Sequence, residues 1–130
     1  MAMQASISEA AINCTAASGE ASPPVDLAHL RRYTMGDRVL ELEVLGLFAD
    51  QLPISIAALK TAASAKEWGM AAHTLKGSAR AVGAWSLAAL AESAERIAPD
   101  DVERGPAIQR IEDAAGAARA YIASLADAAV

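Results

Sequence analysis

The chain has 130 residues, 16 acidic against 11 basic side chains and a net charge of −5, enough for one domain and an acidic one. With no basic run to meet phosphates, it excludes nucleic acid as a partner. Thirty-four alanines against two tryptophans, two tyrosines, one phenylalanine and five prolines give high helix and low strand propensity, so the expected class is all-α.

Residues 1–22 are rich in Ala and Ser and end at Ser22-Pro23-Pro24, which reads as a mobile tail meeting a stiff boundary. The folded domain is expected over 23–130. Cys14 is the only cysteine, so neither an internal disulfide nor a thiolate metal cluster can be built from it. The tail lacks a cationic start and a continuous apolar stretch and does not read as a secretory signal. No segment reads as the roughly 20 apolar residues of a membrane-spanning helix. A soluble, cytoplasmic protein is the expectation.

Asp26 can cap a short helix to about Tyr33, with Leu27, Leu30 and Tyr33 on its buried side, before Gly36 interrupts the pattern. A second helical pattern runs from Asp37 to about Ala63, with Leu45, Leu52 and Leu59 spaced by sevens and Phe48, Ile56 and Ala63 in the same stripe. Pro53 lies inside it. Proline removes a backbone donor and clashes with the preceding turn, so a kink or break is expected near residues 49–53. A third helix should cover 66–82 and stop at Gly83, and a fourth 85–98, stopping before Pro99. The last should run over 102–127. Its apolar positions Ile108, Ile111, Ala115, Ala118, Ile122 and Leu125 make a narrow seam suited to antiparallel packing. Short connections then imply an up-and-down antiparallel four-helix bundle with a short additional N-terminal helix.

The informative stretch is Lys66 to Gly83. At about 100° per residue, Trp68, Ala71, Ala72, Leu75, Ala79 and Val82 share one side, the core side. Lys66, Gly69, Met70, Lys76, Gly77 and Arg80 fall within about 60° of His73 on the other. His73 should face solvent among cations and glycines. Glycine inside a helix costs about 0.5–1 kcal/mol relative to alanine, in a chain that uses alanine almost everywhere else. Either another macromolecule approaches closely at Gly77, or the glycine reflects packing against a neighbouring helix or simple neutral drift.

An ordinary imidazole titrates near 6.5 and is largely neutral at cytoplasmic pH, and a cationic neighbourhood favours that nucleophilic form. A neutral ring nitrogen can attack phosphorus, and Lys76, one turn on, can bind the oxygens of an attached phosphoryl group. Lys66 and Arg80 read as solvated cations. A zinc site is not indicated, because only His29 and His73 offer imidazole and no HExxH or Cys/His pairing exists. Ser78 lies about 140° around the helix from His73 and no G-x-S-x-G elbow is present. No glycine-rich phosphate loop precedes a helix, so a phosphoryl group would have to arrive from another protein.

The run Ala72-His73-Thr74-Leu75-Lys76-Gly77-Ser78-Ala79, followed by Gly83 and Leu87, resembles the signature of histidine-containing phosphotransfer (HPt) domains. Upstream, Asp26-Leu27, Leu30, Gly36-Asp37, Leu45, Phe48 and Leu52-Pro53 look more loosely like the opening helices of that family. The resemblance implies a helical bundle that relays a phosphoryl group between receiver-domain aspartates through phosphohistidine in two-component signalling. His73 would be the acceptor, Lys76 the phosphoryl-stabilising cation and Gly77 the small residue under a docked receiver. Gly69, Met70 and Arg80 would lie in the same contact surface. Glu95 sits where the family often has a residue that bonds the acceptor ring; an ordinary solvated carboxylate is the alternative.

Two positions depart from the pattern. Arg80 stands where many relatives are small or polar and would tune docking against an acidic receiver pocket. Trp85 reads as a core residue at the bundle end, the alternative being an exposed contact. The partners implied are response-regulator receiver domains and hybrid histidine kinases, with no cofactor and no metal of its own; magnesium is expected on the receiver. The leading expectation is a monomeric, stoichiometric carrier without kinase activity. Two alternatives stand beside it: the phosphoacceptor domain of a chemotaxis-type histidine kinase, and a non-phosphorylated helical adaptor.

Overall fold

The computed structural model describes residues 23–98 and 101–128, and all regular structure among them is α-helical. The tail 1–22 with Cys14, and Pro99, lie outside the described residues. Five helices follow one another: α1 (Leu27–Thr34), α2 (Arg38–Lys60), α3 (Ala65–Val82), α4 (Trp85–Glu95) and α5 (Arg104–Ala128).

Their ends follow from side-chain caps and left-handed stops. Asp26 accepts from His29 N at 3.2 Å, Asp37 from Leu40 N at 3.1 Å and Ser64 from Glu67 N at 3.1 Å, each satisfying a backbone donor that the first turn leaves free. Glu67 also accepts from Ala63 N at 2.8 Å. α3 ends on Gly83, whose φ of +83° suits glycine. A Cβ there would come 2.8 Å from the carbonyl oxygen of Asp26, and Asp26 N donates back to Gly83 O at 2.9 Å. The close approach straps the N-terminal segment onto the α3–α4 corner.

Three expectations are corrected. α2 is one continuous helix through Pro53, so the break expected near residues 49–53 does not occur, and it stops at Lys60, leaving Ala63 exposed outside it. Pro53 is on the solvent side, where the Ala49 carbonyl that lacks its amide partner can turn to water, while buried Leu45, Phe48, Leu52 and Leu59 hold both halves to the core. Tyr33 is exposed and Thr34 takes the inner position with Leu27 and Leu30, since a 3-4 spacing from Leu27 leads to Leu30 and Thr34. α4 ends at Glu95 and α5 begins at Arg104, so the connection is longer than the apolar pattern implied.

α3 packs on α2 and α4, α5 packs on α2 and α4, and α1 lies on α2 and α3. The core between them holds Leu45, Leu52, Leu59, Trp68, Leu75, Leu87 and Ile111, with alanines filling the narrow approaches on α3, α4 and α5. In the α5 seam Ile111, Ala115, Ala118 and Ile122 are buried and Ile108 and Leu125 partly so. α1 is tied to α2 by Arg31, which donates to the buried carboxylate of Glu41 at 2.7 and 3.3 Å. Contrary to the expectation from sequence, α2 is long and apolar enough, by length and composition, to cross a membrane. Its stripe of buried leucines accounts for part of that apolarity; its outer face accounts for the rest.

Candidate functional site

The α3 helix turns one face inward and the other out, as its periodicity requires. Trp68, Ala72, Leu75, Ala79 and Val82 are buried, and the His73 side chain on the opposite face is 68% exposed. Trp68 is the fixed point of this register, because its Nε1 donates to the carbonyl of Ala94 on α4 at 2.7 Å. That bond sets the next residue, Glu95, over the α3 surface.

Glu95 spans two side chains of α3. Its Oε2 lies 3.2 Å from His73 Nδ1 and its Oε1 accepts from Lys76 Nζ at 2.9 Å. The hydrogen bond from Lys76 is the main reason the Glu95 carboxyl titrates below the usual glutamate range; partial desolvation opposes this, and the Lys76 charge and the His73 contact add to it. An ionised carboxylate can only accept, so Nδ1 must carry the proton in this contact. In the neutral ring Nε2 then bears the lone pair and points away from Glu95. Of the two readings of Glu95 from sequence, the ring-bonding one describes the geometry.

The expected ring of cations around His73 is corrected by the same contacts. Lys76 is mostly buried, at 15% side-chain exposure, and its charge is met by Glu95. Arg80 donates to Glu92 at 3.2 Å, and Arg96 meets the same carboxylate at 3.1 Å. Glu92 was not singled out from the sequence. Its signal was there, however: Lys76 and Arg80 lie four apart on α3 and face Glu95 and Glu92, three apart on α4, in reversed order.

Gly77 is exposed and a Cβ on it would meet nothing within 4 Å, and the same space is open at Gly69. Internal packing therefore does not require either glycine. Lys66, Gly69, Met70, Thr74, His73 and Glu95 border a shallow open hollow beside the ring, and the Met70 side chain stands out in solvent. Trp85 is corrected to a partly exposed residue: its Nε1 donates to Asp26 Oδ2 at 3.0 Å and His29 packs edge-on against it at 4.8 Å. That bond is the leading reason the Asp26 carboxyl also titrates low. Among the described residues no group of three or more His, Cys, Asp or Glu side chains could hold a metal ion.

An exposed imidazole contacted by a carboxylate, with a lysine one turn away and open space on both sides, can present a ring nitrogen to a visiting group. The family model described as Hpt domain matches residues 43–128, and the chain belongs to that family. The family is one of phosphotransfer intermediates in two-component signalling that work with receiver domains and histidine kinases. No curated protein and no solved structure matches the chain.

Proposed function

We propose that the protein is a carrier that relays a phosphoryl group between receiver-domain aspartates, with His73 Nε2 as the acceptor atom. The Glu95–His73 contact carries this reading, because it holds the proton on Nδ1 and leaves the outward nitrogen as the nucleophile. In the forward step Nε2 forms a bond to phosphorus as the acyl phosphate P–O bond of the donor breaks, and the donor aspartate departs as carboxylate. The Nδ1 proton stays in place. Glu95 balances the positive charge that the ring acquires, and Lys76, with two ammonium protons not used by Glu95, meets the phosphoryl oxygens.

Gly69 and Gly77 keep both flanks of the ring clear for the receiver, and Met70 and Arg80 border the contact surface. Magnesium belongs on the receiver, and no cofactor is needed here. The helix contacts, α2–α3–α4–α5 and back to α2, support an up-and-down antiparallel four-helix bundle with α1 laid against it. The carrier is read as monomeric, cytoplasmic and without kinase activity of its own.

Two donors test this. A phosphorylated receiver domain should transfer label within seconds to a linkage that is lost in acid and kept in alkali. A histidine-kinase catalytic domain with ATP should leave the protein unlabelled. The reverse pattern would identify a chemotaxis-type phosphoacceptor domain, and binding without labelling an adaptor; either overturns the relay.

Glu95→Gln should slow transfer about tenfold, the scale of losing a ring-orienting partner, and ¹⁵N spectra should show His73 losing its preference for the Nδ1–H form. In the wild type the Glu95 carboxylate remains ionised above the usual glutamate range and protonates only as pH falls through its lowered value. The contribution of the Glu95 carboxylate to stability is therefore present above the usual glutamate range and is lost as pH falls through the lowered value, and an acid unfolding profile unchanged by Glu95→Gln would contradict the bridge.

A further inference from the structure

The α2 helix carries a second line of residues with the spacing of a packing seam, and that line faces solvent. Leu40, Glu43, Leu47, Asp50 and Ile54 succeed one another by 3, 4, 3 and 4, the repeat that puts side chains in one stripe for a partner helix. All five are exposed, Leu47 at 72% and Ile54 at 61%. Apolar and acidic residues alternate along it.

At its centre is a hollow lined by Leu42, Glu43, Gly46, Leu47 and Asp50. Residues 43, 46, 47 and 50 are i, i+3, i+4 and i+7, the four that form a hole for a knob from a facing helix. Gly46 leaves its floor open, since a Cβ there would meet nothing within 4 Å. Carboxylates stand at both ends. Such a hole fits a long side chain with an apolar stem and a cationic head, which can lie over Leu47 and reach Glu43 and Asp50.

We propose that this outer seam of α2 docks a basic amphipathic helix of a partner protein, with an arginine or lysine of that helix seated in the Gly46 hollow. A second copy of the chain fits poorly. In a parallel pair Glu43 and Asp50 would face their own copies, and in an antiparallel pair each leucine layer would meet an acid. An anionic lipid surface is repelled by the same two carboxylates. Lys60, the one lysine of α2, lies on another side of the helix and is engaged across to Glu112 on α5 at 2.6 Å, so it does not offset the seam's charge.

The test is a titration of the isotope-labelled full chain with a synthetic helix bearing leucine at every seventh position and arginine three residues after each leucine. A permuted peptide of the same composition is the comparison. Amide shifts should cluster on α2 between Leu40 and Ile54, and affinity should exceed that of the permuted peptide by at least roughly tenfold and fall with salt. Glu43→Lys with Asp50→Lys, and separately Gly46→Leu, should each lose that advantage with helicity retained and with labelling of His73 by a phosphorylated receiver unchanged, which separates this face from the relay. Equal binding of both peptides, shifts elsewhere, undiminished binding by either seam variant, or self-association of the protein abolished by Leu47→Asp would overturn the proposal.

Discussion

His73→Gln should abolish acid-labile labelling from a phosphorylated receiver, by at least about a thousandfold, because glutamine offers no basic nitrogen to attack phosphorus. Its fold should be unchanged. The side chain it replaces is 68% exposed, and surface substitutions of this kind alter stability by about 0.5 kcal/mol or less. Glutamine can also donate to Glu95, so the Lys76–Glu95 pair persists and loss of labelling reports on the nucleophile alone. The measurement is the initial rate of label transfer alongside a thermal melt. Labelling above a hundredth of the wild-type rate would move the acceptor away from His73.

Trp68→Ala should produce the largest loss of stability of any single substitution on α3. The ring is 1% exposed, its Nε1 donates to Ala94 O at 2.7 Å, and the Arg104 guanidinium lies 4.2 Å above it at the start of α5. One side chain thus joins three helices. Truncating a buried tryptophan costs about 3–5 kcal/mol, including the cavity left behind, against a total of about 5–15 kcal/mol for a domain. At about 3–5 °C per kcal/mol for a chain of this length the melting temperature should fall by roughly 9–25 °C.

Trp68→Phe separates packing from registration. It keeps most of the buried area and removes one of the two hydrogen bonds to the Ala94 carbonyl, which still accepts from Ile97 N at 3.0 Å, a loss of about 0.5–1.5 kcal/mol. Because Ala94 immediately precedes Glu95, this milder variant should also weaken the His73 contact. Calorimetry and the His73 ¹⁵N shifts check both. A fall of less than about 5 °C for Trp68→Ala would show that the helices are held mainly elsewhere.

Much of the helix-level description could be read from residue order. The outward direction of His73 follows from the inward set Trp68, Ala72, Leu75, Ala79 and Val82, since a helix has only one period and the two faces must separate. Capping by Asp26 and Asp37 and the stop at Gly83 depend on chemistry within a few residues. Pro53 shows where such local rules yield: the free energy of burying the leucines on both sides exceeds the cost of one missing backbone bond. Trp85 shows another limit, because a large aromatic at a helix start carries no mark of whether the bundle or the solvent lies beside it.

The order of residues by itself determined five helical segments, an acceptor-like histidine on a solvent face, and glycines at 69 and 77 that flank it. What only the tertiary structure decided is the company of that histidine. Glu95 comes between His73 and Lys76, Glu92 takes up Arg80 and Arg96, and Asp26 reaches Trp85 across 59 positions of sequence. The reason is physical: periodicity fixes which way a side chain leaves its own helix. The vertical offset between α3 and α4, set by the Trp68 bond to Ala94, fixes which side chain it meets.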